Sequence, residues 1–313
     1  MQWVLWSIGE ALTKTLTKII QKLVGGVSFL FAHMVLAAFV ISVVQTTVGY
    51  GVLRKRGVSI WCGKRLVTGA LLFGVVAFFM TVLAFSVFLP RYSGSVGIST
   101  FIITLAIFPS AVIDSLVFKD RFSLRTLGGF VLGIFAGYIV LGLPSLQELL
   151  ELPAWVWLSC GVMILGVANE LISRQIKAIH PMAKNFWGGV GTLACCLVAL
   201  LFLDSFAVLL PTTDNLRRIY ALSSIVGLLV LAMWSFKVMS YKTGAGIALK
   251  SLVMNGTYLS TTMIAGMLFF NEAVAATKFL GILLYVVAFL IANDATWQYV
   301  RSRGSPNKVV SVE

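Results

Sequence analysis

Runs of about 20 apolar residues recur from one end of this chain to the other, each long enough to cross a hydrocarbon core of ~30 Å. A β-barrel would show alternating segments of roughly 10 residues instead. Only 11% of the 313 residues are charged, 59% are hydrophobic and mean hydropathy is +0.98; soluble domains carry roughly 25% charged residues. The sequence therefore predicts an all-α membrane protein with ten transmembrane helices. The expected spans are 2–21, 28–53, 66–89, 95–118, 124–143, 154–178, 184–210, 218–240, 244–270 and 274–297. The connections are short, so no soluble domain is expected between them, and 298–313 reads as a polar cytoplasmic tail.

A fixed long-range offset divides the chain. Phe118 and Phe270, Asp120 and Glu272, and Gly129 and Gly281 each lie 152 residues apart. Nearer the N-terminus, Glu10 and Glu170 lie 160 apart, as do Lys14 and Arg174. Loop-length differences absorb the change of eight. Such self-similarity predicts two repeats, 1–143 and 154–297. Five helices in each is an odd number, so the second copy would be inverted relative to the first, with a binding site near the midplane between them.

The net charge is +13. In a soluble chain that would suggest nucleic acid; here basic loops that orient the helices explain it, and no nucleic-acid partner is expected. With both termini in the cytoplasm, sixteen of the 24 Lys and Arg, Lys184 and Lys237 among them, fall in cytoplasmic loops or the tail, and five fall outside. That bias satisfies the positive-inside rule. A cleavable leader is not expected, because Glu10 and Lys14 interrupt the first apolar stretch. A bacterial-type plasma membrane is the expected location.

Ionisable residues inside spans are costly and mark sites. Glu10, Lys14 and Lys18 step by four along the first span and share one face. Two readings of this span stand: an amphipathic helix lying on the membrane surface, or a spanning helix lining a cavity. Glu10 with Lys14, and Glu170 with Arg174, are either internal ion pairs or two carboxylates facing one cavity, able to bind a proton or a cationic substrate. Asp114 lies near a span end. Lys250 either snorkels to the interface or anchors an anionic substrate group. Asn255 and Tyr258 make the ninth span polar, and Trp187 and Trp234 are candidate aromatic walls. Tyr241 reads as part of an interfacial aromatic belt. Gly129, Gly133 and Gly137 form a GxxxGxxxG stripe for close helix contact, within a monomer or between two. Four cysteines, Cys62, Cys160, Cys195 and Cys196, have neither metal nor disulfide spacing. His33 and His180 are scattered, and no H-E-x-x-H, G-x-S-x-G or phosphate-cradling loop occurs, so no enzyme, cofactor or metal is expected.

The helix, acidic turn, helix module of each half, ending in Phe118-Lys119-Asp120-Arg121 and Phe270-Asn271-Glu272 and followed by Gly129 and Gly281, resembles the drug/metabolite transporter superfamily, in its ten-helix EamA-like branch. The likeness covers essentially the whole chain. Glu10 followed by Lys18 also resembles the first helix of the small multidrug resistance exporters of that superfamily, whose Glu binds protons and cationic drugs in turn. The resemblance implies a secondary transporter, an exporter of small metabolites such as amino acids or of drug-like compounds, working by alternating access. It carries the binding role onto Glu10 and Glu170. A facilitative carrier without proton coupling is the near alternative, and an integral-membrane enzyme on lipid-linked substrates the distant one. The expected partners are a small-molecule substrate, lipid and, in the coupled reading, protons.

Overall fold

The structure, a computed structural model, describes residues 2–110 apart from 29 and 107, then 112, 124–140, 145, 147, 151–243, 247–272 and 276–292. Among these the secondary structure is helical, with no strand. The α-helices are α1 (Gln2–Val27), α2 (Phe31–Lys55), α3 (Lys64–Ser86), α4 (Val96–Thr104), α5 (Leu124–Val140), α6 (Ala154–Gln175), α7 (Pro181–Phe202), α8 (Asp214–Lys242), α9 (Ile247–Phe270) and α10 (Ala276–Ala292). Among the described residues α2, α3, α6, α7 and α8 are each long and apolar enough to cross a membrane. The molecule is thus compatible with an integral membrane protein. Asp114, Lys119, Asp120 and the tail lie outside the described residues.

Several helix ends follow from local chemistry. His180 caps α7, its Nδ1 accepting from the Met182 N–H at 3.2 Å, with Pro181 at the first helical position. Thr213 caps α8 by accepting from the Leu216 N–H at 3.3 Å. The expected span 95–118 is interrupted: α4 stops at Thr104. Pro109 is the reason, since it has no N–H to give the Leu105 carbonyl and its ring crowds that position. The Phe108 N–H bonds the Leu105 carbonyl instead, at 3.0 Å, tightening the turn.

Two compact units result, 1–110 with 145–273 and 111–144 with 274–313. Each takes residues from both expected halves of the chain. In the second unit α5 packs on α10, with Gly129, Gly133 and Ala136 buried on one helix and Gly281, Tyr285 and Ala288 on the other. Gly129 and Gly133 of the stripe read from the sequence are therefore buried in a helix pair of the same chain.

In the first unit α1 packs on α8 and α9, and α6 packs on α3 and α4. α2 packs on α7 and α8, α3 on α7, and α4 on α9. Small residues of α7 set the approach. A Cβ on Gly74 of α3 would collide with the Gly188 carbonyl, and one on Gly191 would lie 2.5 Å from the Leu71 carbonyl. The Thr192 hydroxyl donates to the Gly74 carbonyl at 2.9 Å across the same crossing. Glycine is required there because the helices meet backbone to backbone.

α1 is inside out by the standards of a soluble protein. It buries Ser7, Glu10, Thr15, Thr17, Lys18 and Gln21, while Leu5, Leu12, Leu16 and Leu23 are exposed. Its polar face is packed on α8 and α9.

Candidate functional site

Four helices of the first unit bring charges to one point. α1 supplies Glu10 and Lys14 one turn apart, α6 supplies Glu170, α8 supplies Lys237 and Tyr241 one turn apart, and α9 supplies Lys250. The Lys250 ammonium bridges the two acids, 3.1 Å from Glu10 Oε2 and 3.3 Å from Glu170 Oε2. Lys237 lies 2.6 Å from Glu170 Oε1 and 3.8 Å from Glu10 Oε1. Lys14 adds a contact of 3.2 Å to Glu10 Oε1. The Tyr241 hydroxyl donates to Glu170 Oε2 at 2.8 Å, so this ring is part of the network and not of an interfacial belt. Glu10 is fully buried, and the side chains of Lys250 and Lys237 are 1% and 5% exposed. Among the described residues Glu170 pairs with Lys237 and Lys250.

Burying an ion costs several kcal/mol even after relaxation, and partners recover that cost only with good geometry. Here each carboxylate has at least two ammonium neighbours within 4 Å. The network is over-supplied with positive charge: three lysines face two acids.

Beside it lies a cavity of about 150 Å³. Lys14, Lys18, Glu170, Lys237, Asn255 and Tyr258 line it, together with an apolar wall of Met80, Val162, Val230, Met233 and Trp234. Lys18 is 2% exposed and donates to Ser99 Oγ at 3.0 Å. Of the residues singled out in the sequence, Lys14, Glu170, Asn255 and Tyr258 line the cavity, while Glu10 and Lys250 belong to the ion-pair network beside it. Trp187 does neither: its Nε1–H bonds the Ile60 carbonyl at 2.9 Å and its ring meets Trp61 edge-on.

Two lysines counted as loop charges are buried in helices. Besides Lys237, Lys184 of α7 donates to Ser173 Oγ at 2.9 Å and sits 3.9 Å from the Phe73 ring centroid. Both fall inside or against long apolar runs, a signal that could have marked them. Asn169, whose Oδ1 accepts from Lys237 at 3.2 Å, also escaped the sequence reading.

A second cluster sits at the far end of α1. Glu272, just past α9, ion-pairs with Lys22 at 2.6 Å. It also accepts from Ser95 Oγ and the Val96 N–H, both at 2.7 Å, and from the Gly97 N–H at 3.2 Å. It therefore caps α4 across the fold. Burial works to raise its carboxyl, but Lys22, the Ser95 hydroxyl and the two N–H groups outweigh it and hold it below the usual carboxylate range. Asn271 takes the left-handed conformation (φ 49°) that ends α9, and the Glu272 N–H reaches back to the Gly266 carbonyl at 3.1 Å.

No family model matches the chain, and no curated protein matches it. Among solved structures 28 chains match. One, described only as "Crystal structure of protein", is 14% identical over 95% of this chain and 98% of that one, with a TM-score of 0.63. That likeness shows a shared fold over nearly the full length of both chains.

Proposed function

We propose that the chain is a secondary transporter of small organic metabolites, built as ten spanning helices in two inverted five-helix repeats and related to the EamA-like drug/metabolite transporters. The observation that carries this reading is the meeting of Glu10 and Glu170. They occupy repeat-related positions 160 residues apart in sequence, yet both lie within 3.3 Å of the one Lys250 ammonium, beside a cavity. A duplicated polar interior inside helices of membrane length has no use in a merely structural subunit.

The packing pattern supports the repeat. Exchanging α1 to α5 with α6 to α10 turns the α1–α8 contact into α6–α3, α1–α9 into α6–α4, and α3–α7 into α8–α2. The contacts α2–α7, α4–α9 and α5–α10 map onto themselves. In this reading both termini are cytoplasmic and the chain resides in a plasma membrane, exporting its substrate. Glu272 and Lys22 then close the outer side, and the Glu10–Lys250–Glu170–Lys237 network closes the inner side.

A facilitative carrier without proton coupling is the second reading, and the ion pairs favour it. Both acids already serve as counter-ions to lysines, which leaves neither carboxylate free to exchange protons without breaking the network. The test is purified protein in liposomes holding a pH gradient and a pH-sensitive dye, challenged with amino acids, organic cations and phosphorylated metabolites. Substrate-dependent collapse of the gradient, lost in Glu10→Gln or Glu170→Gln, establishes coupled transport. Labelled-solute uptake with no proton movement establishes the facilitative form. Uptake of nothing from the panel by well-folded protein refutes the transporter reading.

A further inference from the structure

Three residues that line the cavity carry hydrogen-bond donors with no partner among the described residues. Asn169 Nδ2, Trp234 Nε1 and Thr17 Oγ1 are buried and have no hydrogen-bond partner among the described residues, and the side chains that carry them belong to the cavity wall. Their residues are 1%, 2% and 7% exposed. The orientation of Asn169 is fixed by chemistry: Lys237 can only donate, so the amide oxygen must face it and the NH₂ must point away. Buried polar groups in proteins are nearly always paired, so three such donors around one space call for an explanation. Two of them, an amide NH₂ and an indole N–H, cannot accept a hydrogen bond at all.

Charge points the same way. Lys18 lines the cavity, and its contacts are the Ser99 hydroxyl at 3.0 Å and the Phe88 ring, 4.8 Å from the centroid. No carboxylate of the described residues lies within 4 Å of it. The oxygens of Glu272, at the far end of α1, are held by Lys22 and the α4 N-terminus. Glu170 is the one carboxylate on the described cavity wall, and its oxygens are engaged by Lys237, Lys250 and Tyr241. Among the described residues the cavity therefore offers a lysine amine without a carboxylate partner and further donors, against an apolar wall, and its one carboxylate is already engaged.

We infer that the transported solute is a small organic anion, whose carboxylate or phosphate oxygens are received by Lys18 with help from Asn169, Trp234 and Thr17, and whose apolar body lies on Met80, Val230 and Met233. The inference rests on the transporter reading and narrows its substrate class. It runs against the cationic drugs that the Glu10 and Lys18 spacing suggests. An anion supplies acceptors to every unsatisfied donor and neutralises the surplus lysine, whereas a cation would add charge to a site that already carries an excess.

The test uses the full chain, purified in detergent and in liposomes, with benzoate, glycerol 3-phosphate, choline and mannitol as probes. Benzoate or glycerol 3-phosphate should raise the melting temperature and enter the liposomes saturably, while choline and mannitol do neither. Whichever anion works identifies the headgroup. In Lys18→Gln the KM for that anion should rise about tenfold or more, the usual scale for a lost charged hydrogen bond, and Lys18→Arg should recover most of it. Should Lys18→Gln fail to fold, Trp234→Phe removes the indole N–H alone and should raise the same KM severalfold. Uptake of choline or mannitol without the anions overturns the inference and leaves the transporter reading standing. Stabilisation by an anion with no uptake of any probe keeps the site and refutes transport. Unchanged anion affinity in both folded variants also overturns the inference.

Discussion

Glu170 and Glu10 are each held by lysines they also hold, so neither can be removed alone without leaving a buried ammonium uncompensated. Glu170→Gln should therefore destabilise by about 3–5 kcal/mol, seen as a lower melting temperature in detergent. Adding Lys237→Met to it should restore part of that loss, because the double variant removes the orphaned charge along with its partner. A double variant no more stable than the single one would show that the pair is not coupled. Glu272 carries a pH prediction. Its carboxyl lies below the ordinary range when folded, so its stabilising effect is present above the unfolded value and fades as pH falls through the folded one. Melting temperatures of the native chain and of Glu272→Gln should differ at neutral pH and converge on acidification below the ordinary carboxylate range.

Among the helices, α1 and α7 carry the most specific expectations. Leu12 and Leu16 of α1 are 46% and 48% exposed on the face opposite its buried charges. If that face meets lipid, Leu16→Arg places a charge near mid-helix at a cost of about 3 kcal/mol, and membrane-integrated, folded protein should fall accordingly. An unchanged yield would mean the face meets water. On α7, Gly191→Leu forces a side chain into the Leu71 backbone. It should cost about 1–3 kcal/mol or more in melting experiments, whereas Gly51→Leu, which meets open space on α2, should cost little. These small residues were hard to find in sequence. The stripe of Gly129 and Gly133 has regular spacing and was legible, but Gly188, Gly189 and Gly191 are irregularly spaced and face α2, α3 and α8. α4 shows the opposite case: Pro109 lies within the expected span 95–118, where hydropathy favours a continuous helix and the proline's chain-breaking chemistry prevails.

For the molecule as a whole, the all-helical class and helices apolar and long enough to cross a membrane were legible, and Glu10 and Glu170, singled out by their offset, lie at one lysine. It did not reveal Lys237, Lys184 or Asn169. None has a repeat-related mate to draw notice, and a lysine near the end of an apolar run reads equally well as an interfacial charge until the packing fixes its depth. The compact units were hidden for a similar reason: α5 and α10 are far apart in sequence and meet as a pair. In the proposed function the cavity beside Lys250 serves a carrier with two inverted halves. Counterflow tests it most directly: liposomes preloaded with an unlabelled substrate from the panel are diluted into a trace of the labelled one. A carrier predicts transient accumulation of label above its equilibrium level, reduced in Glu170→Gln. Uptake that is linear in concentration and indifferent to the preload would contradict it.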